Sequence, residues 1–340
     1  MTKTHLVAAL LAIAAATPLQ AQAPASLTQF LRQGIGLDTA QLASIERGEG
    51  VVKVLDTKDR RDVAVFGIIT TDAARDAYIA QVRDFRTSLR TPSRAHFGIF
   101  SDPANAADVA AVTISPRDVS DMKDCRPGDC VVKLPATDMR RIHEETNWSA
   151  DDIQAQLGAY ARRRLVEFIT DYRARGDSAL AIYDDRATLN VHASDAFAGM
   201  LAESPYVYQN IPSLGRYLAA YPREKLAGAT EALFWSEDVM PRLRPILSVT
   251  HQVVYTPPEL PGVTLVAAKQ LYANHYFEAA LDITCVVDRQ GGGSYLLVLR
   301  RYRFDNMPSG GLINIRGRAI GALRDQLLAD LRRQKNTEPR

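Results

Sequence analysis

The side chains that could do chemistry in this chain are few, and most fail the spacing that their chemistry needs. His143-Glu144-Glu145 opens like a zinc-protease helix, but no second imidazole follows four positions after His143. Without it a metal lacks a ligand, and a charged helix surface is the better reading. Asp151-Asp152 and Asp184-Asp185 are adjacent carboxylates. Adjacent residues on a helix do not face each other, so neither pair suits acid–base work. The sequence has no G-x-S-x-G elbow, no P-loop and no G-x-G-x-x-G, and nothing here indicates an acyl-transfer triad or a phosphate cradle. Gly291 to Gly293 lies between strand-like runs and reads as a hairpin turn.

The three cysteines are more informative. Cys125-Arg126-Pro127-Gly128-Asp129-Cys130 has a Pro-Gly turn at its centre that can bring the two thiols together. In an oxidising compartment a Cys125–Cys130 disulfide is expected. No second cysteine pair exists to complete a metal knuckle. Cys285 is left unpaired on an interior strand face.

Two histidines remain as pocket candidates. His251 shares one face of a strand with Leu247, Val249, Val253 and Tyr255. A long alternating run then spans Val263 to Asp288, with Leu271, His275, Phe277, Ala279, Leu281 and Cys285 on its odd, inward face. Gln270, Glu278 and Asp282 fall on its even, solvent face. If the chain turns near Gly262, His251 stands opposite Lys269 and His275 lies some six residues further on. The two imidazoles are then too distant to share a metal, and no metal or cofactor is expected. An apolar cavity lined by His251, Lys269, His275, Phe277 and Leu281 could orient a carboxylate or keto group.

These residues need elements to position them. Val63 to Thr70 reads as a strand and Ala73 to Phe85 as a helix capped by Thr71 or Asp72. The middle of the chain is helical, with Ile153, Leu157, Tyr160, Leu165, Phe168 and Tyr172 on one apolar face. The end is a helix with Ile320, Leu323, Leu327 and Leu331 in a single stripe. The spacing therefore predicts Leu323 and Leu327 as the wall facing the sheet. The fold class is α+β: a curved antiparallel sheet gripping a long C-terminal helix, with an inserted, mainly helical region.

Lys3, the apolar run Leu6 to Ala16 and the small residues around Ala21 have the order of a signal peptide. The apolar run falls short of the roughly 20 residues that span a bilayer. Four segments follow: 1–21 as signal, 22–100 as N-terminal helices and first strands, 101–228 as the insertion with the Cys loop, and 229–335 as the remaining strands and last helix. The expected location is exported, periplasmic or secreted, with no transmembrane segment after signal removal. Apolar residues at 46% and charged residues at 24% are ordinary for a globular chain, and a net charge of +2 gives nucleic acid no purchase.

The arrangement resembles the START-like, or helix-grip, superfamily. The residues that carry it are Val63 to Thr70 with the helix at Ala73, the run Lys269 to Phe277, and Tyr302-Arg303-Phe304-Asp305 leading through Gly310-Gly311 into the last helix. The resemblance implies a cavity between sheet and helix, and with it an apolar or amphipathic small molecule such as a lipid as partner. Fold alone does not fix function. A filled, non-catalytic envelope scaffold or protein-interaction module is the second reading, and an enzyme on the same fold the third. No protein partner is indicated.

Overall fold

The computed structural model describes residues 27–187, 189–239, 243–307 and 314–336. The signal segment and the Gly310-Gly311 entry to the last helix lie outside the described residues.

One antiparallel sheet of eight strands organises the chain. Its N-terminal strands are β1 (Val51–Leu55), β2 (Asp62–Thr71) and β3 (Arg94–Ile99). A two-stranded ribbon, β4 (Ile182–Arg186) and β5 (Leu189–His192), belongs to the inserted region and was not apparent in the sequence. The C-terminal strands are β6 (Thr230–Asp238), β7 (Ile246–Tyr255), β8 (Val263–Ala273), β9 (Phe277–Asp288) and β10 (Ser294–Phe304). Their order across the main sheet is β1-β2-β10-β9-β8-β7-β6-β3. The insertion leaves after β3 and returns into β6, and these strands are neighbours, with Ile99 paired to Phe234. An excursion between adjacent antiparallel strands leaves the ladder intact.

The main helices are α1 (Thr39–Glu46), α2 (Arg75–Arg83), α3 (Pro116–Asp124), α4 (Ala136–Glu145), α5 (Ile153–Arg175), α6 (Ala193–Ala202), α7 (Pro205–Asn210), α8 (Pro212–Ala220) and α9 (Ile315–Asn336). The expected cap on α2 is not formed. Ala74 stands at its N-cap with no side-chain bond, while Thr71 accepts from the Ala73 amide instead.

Both faces of the sheet are covered, and this overturns one expectation. The odd face of β6 to β10 carries Leu233, Trp235, Val249, Val253, Leu265, Leu271, Leu281 and Leu299. It packs against Leu165, Ile169 and Tyr172 of α5, Phe197 and Met200 of α6, and Leu214 and Tyr217 of α8. The inserted helices fill this face, whereas α9 was expected there. Leu327 and Leu331 of α9 pack on Val65, Ile69, Val286 and Leu296, on the opposite face. Gly67 makes that approach possible, since a Cβ there would meet Leu327 and Leu331 at under 3 Å. Helix α2 covers Val254 and Val266 of the same even face. Alternation identified two faces correctly but could not say that both are buried, because a long insertion supplies the second cover.

The run Val263 to Asp288 is two strands, not one. The Asn274 amide donates to the Leu247 carbonyl, its side-chain oxygen accepts from the Leu247 amide, and Tyr276 takes a φ of 65°. This turn ends β8 and removes His275 from any strand. Glu278, expected at the surface, is 4% exposed and holds Arg61 through both carboxylate oxygens at 2.9 and 3.0 Å.

Candidate functional site

The expected site residues divide among three places. His251, Lys269 and Leu281 lie on the odd face beneath the insertion, and His251 pairs with Lys269 across the β7–β8 ladder as the sequence predicts. His275 lies in the β8–β9 turn, where its Nε2 meets Asp118 Oδ1 at 3.0 Å. Phe277 packs its ring against Tyr302 and Phe304 at 5.6 and 5.1 Å. Leu323 and Leu327 stand on the even face. They do not form one cavity.

The imidazole of His251 is the centre of a connected hydrogen-bond chain. Tyr172 from α5 reaches Nδ1 at 3.1 Å, and Tyr217 from α8 reaches Nε2 at 3.1 Å. Tyr217 also bonds Glu231 of β6. A carboxylate only accepts, so the Tyr217 proton points to Glu231 and its oxygen receives Nε2–H. Nδ1 is then free to accept from Tyr172. Burial pushes the imidazole below its ordinary value, with Glu231 opposing that shift. The same contact, a hydrogen bond from His251, holds Glu231 below the usual carboxylate range. The chain thus joins a buried neutral histidine to a carboxylate whose side chain is 48% exposed.

Lys269 is equally occupied. Its ammonium lies 2.5 Å from Asp177 Oδ1, 3.1 Å from the Leu218 carbonyl and 3.9 Å from the centre of the Phe197 ring. Tyr221 stacks on Tyr172 and sits edge-on to His251 at 4.6 Å, filling the remaining space. These groups tie three elements of the insertion to the sheet, and their polar atoms are spent on one another.

The even face is different. Asp282 of β9 accepts from the Tyr302 hydroxyl at 3.1 Å through Oδ2, while its Oδ1 is sealed and has no partner. Burial pushes the Asp282 carboxyl up and the Tyr302 phenol well up. Both residues nonetheless keep partial solvent contact. Asp282 is thus half-buried, with one carboxylate oxygen bonded and the other sealed. The register fixes its neighbours: Asp282 pairs with Ala268 and Ala268 with Gln252, while Ala280 pairs with Gln270 and Gln270 with Thr250. Ala280 is buried and Ala268 half-buried between these polar positions. Gln270 and Asp282, on the face that alternation gives to solvent, are half-buried, and one oxygen of Asp282 is sealed.

A separate groove of about 630 Å³ runs along α5 beside Val109, Ala159 and Val166. None of the expected residues lines it, and its arginines are engaged: Arg162 donates to the Val112 carbonyl and Arg163 to Glu145.

Cys125 and Cys130 form the expected disulfide. Their loop docks on β4, with the Gly128 and Cys130 amides donating to the carbonyls of Asp184 and Asp185. Cys285 is a free thiol that burial pushes up to about 12. Among the described residues, no helix is long and apolar enough to cross a membrane.

No protein-family model matches this chain, and no curated protein matches it.

Proposed function

We propose that this chain is an exported binding protein for an amphipathic small molecule such as a lipid, held on the even face of the sheet between α2 and α9. The observation that carries this reading is the buried, unpartnered Oδ1 of Asp282 on that face. A sealed acceptor without a donor costs about 1–3 kcal/mol, and a bound molecule that donates to it removes that cost. The Tyr302 ring beside it, which packs on Phe277 and through it on Phe304, offers apolar area, at roughly 25 cal/mol per Å² buried. The basic, apolar and small-residue order of the N-terminal segment and the Cys125–Cys130 disulfide support export.

The odd face supports the second reading, that of a scaffold, because inserted side chains fill it. The two readings separate on one experiment. Protein recovered from the envelope fraction is measured by native mass spectrometry before and after solvent extraction. A mass adduct that extraction removes, and that Asp282→Ala lacks, is expected for the binding protein. A bare chain in every preparation sinks the binding reading in favour of the scaffold.

A further inference from the structure

The charges of this chain are sorted by side. The insertion, residues 101–228, holds 15 Lys and Arg against 19 Asp and Glu, and it packs on the odd face. On the even face, α9 carries Arg316, Arg318, Arg324, Arg332, Arg333 and Lys335 against Asp325 and Asp330. A net charge of +2 for the whole sequence conceals this division. Helix α2 belongs to the basic side, because its Tyr78 packs against the cluster that holds Leu327 and Leu331 of α9.

The basic side also presents cations that nothing neutralises. Arg83 at the end of α2, Arg86 in the short helix Phe85–Ser88 and Arg90 just after it are exposed and follow one another at helical spacing. Arg318 and Arg332 are exposed on α9. Among the described residues, the side chains of these five make no hydrogen bond or salt bridge, and Arg90 lies over the Phe97 ring at 5.8 Å. The exposed carboxylates around them are mostly engaged. Asp76 lies 3.5 Å from Arg75, Asp84 accepts from the Thr87 amide and Asp325 holds Arg324, which leaves Asp72.

A few charged side chains on a surface are ordinarily just solvated. Here five unpaired arginines share one side, and the excess on the other side has the opposite sign. Arg318 and Arg332 stand about 21 Å apart along α9, at roughly 1.5 Å per residue. One small anion cannot meet both, whereas a planar field of negative charge meets them together with the Arg83 row. A groove of about 230 Å³ on α2, lined by Arg75, Asp76, Ile79, Ala80, Arg83 and Thr256, sets the free Arg83 guanidinium beside apolar side chains. A phospholipid offers that pairing, a phosphate next to its first methylenes.

We infer that the side formed by α2 and α9 docks on an anionic phospholipid surface, with the acidic insertion turned away from it. The docking does not depend on whether the protein also carries a lipid.

The test is co-sedimentation of the full chain with phosphatidylcholine vesicles, with and without phosphatidylglycerol, at low and at physiological salt. Binding is expected only to the anionic vesicles and is expected to weaken with salt, because exposed charges are screened. Each cation at such a surface strengthens binding roughly fivefold, so the double variants Arg83→Glu/Arg86→Glu and Arg318→Glu/Arg332→Glu should each lose about tenfold or more. Asp124→Lys, an exposed change on the insertion, should alter binding little. Thermal melts confirm that the variants fold, and the lipid and salt dependence of wild type tests the docking without them. Equal binding to both vesicles, or none to either, overturns the inference. So does full binding by folded double variants, or binding to soluble polyglutamate with none to vesicles, which would make an acidic polypeptide the partner.

Discussion

His251 and Lys269 are direct partners across the β7–β8 ladder, yet their side chains bond to the insertion and not to each other. One imidazole and one ammonium on a single strand pair thereby fasten α5, α8 and the turn at Asp177 to the sheet. The fastening depends on protonation state, since the hydrogen-bond chain through Tyr172 and Tyr217 uses a neutral imidazole.

Stability should therefore fall on mild acidification. Burial lowers the folded-state value of His251 below that of the unfolded chain, whose histidines titrate near 6.5. Below that pH the unfolded state takes up a proton that the folded state refuses, so stability present at pH 7 is lost as pH falls. Glu231, also lowered, adds a second loss below its ordinary carboxylate value. Thermal melts from pH 7.5 to 5 are expected to show a decline in wild type that His251→Gln flattens. An identical slope in both proteins would count against the fastening.

Tyr172→Phe removes the donor to Nδ1 and leaves a buried acceptor unpaired, at an expected cost of about 1–3 kcal/mol. Tyr221→Phe, whose ring only stacks there, should cost less. Urea unfolding of the two variants checks the order.

Glu278→Gln is expected to destabilise the protein by about 1–3 kcal/mol, because the carboxylate is buried against Arg61. The figure lies below that of a fully buried pair because Arg61 is 28% exposed and also bonds Asp59. A change within a few tenths of a kcal/mol would place Glu278 at the surface, where alternation alone puts it.

The Cys125–Cys130 bond closes a six-residue loop, and the chain-entropy model gives about 2 kcal/mol for it. Thiol counting in denaturant should find one free thiol, that of Cys285, and the double Ser variant should unfold at lower urea. Three free thiols in protein from an oxidising compartment would contradict the bond.

Much of this fold was legible because local rules agreed with the global result. Alternation gave β7 and most of β9, the turn at Gly262 set His251 against Lys269, and the stripe from Ile320 to Leu331 gave α9. The turn at Asn274 was hidden because its cause is a long-range pairing with Leu247, and no Gly or Pro marks it. The site was hidden for a related reason. Polar even positions read as solvent-facing until two helices flank them, and which helix covers which face is decided by packing between distant segments. Gly67 admits Leu327 and Leu331 and Gly50 lies against Leu328, so glycines on β2 and before β1 accommodate α9 on its side.

The central claim is that a ligand is held on the even face and not beneath the insertion. Two tryptophan substitutions one strand apart test it directly: Ala268→Trp, half-buried on the even face, and Ala279→Trp, 2% exposed in the packed odd face. Native mass spectrometry of envelope-derived protein is read together with a thermal melt. The expected result is a folded Ala268→Trp that has lost the extractable adduct, and an Ala279→Trp destabilised by overpacking, about 1–3 kcal/mol or more. A folded Ala268→Trp that keeps the adduct would contradict the claim.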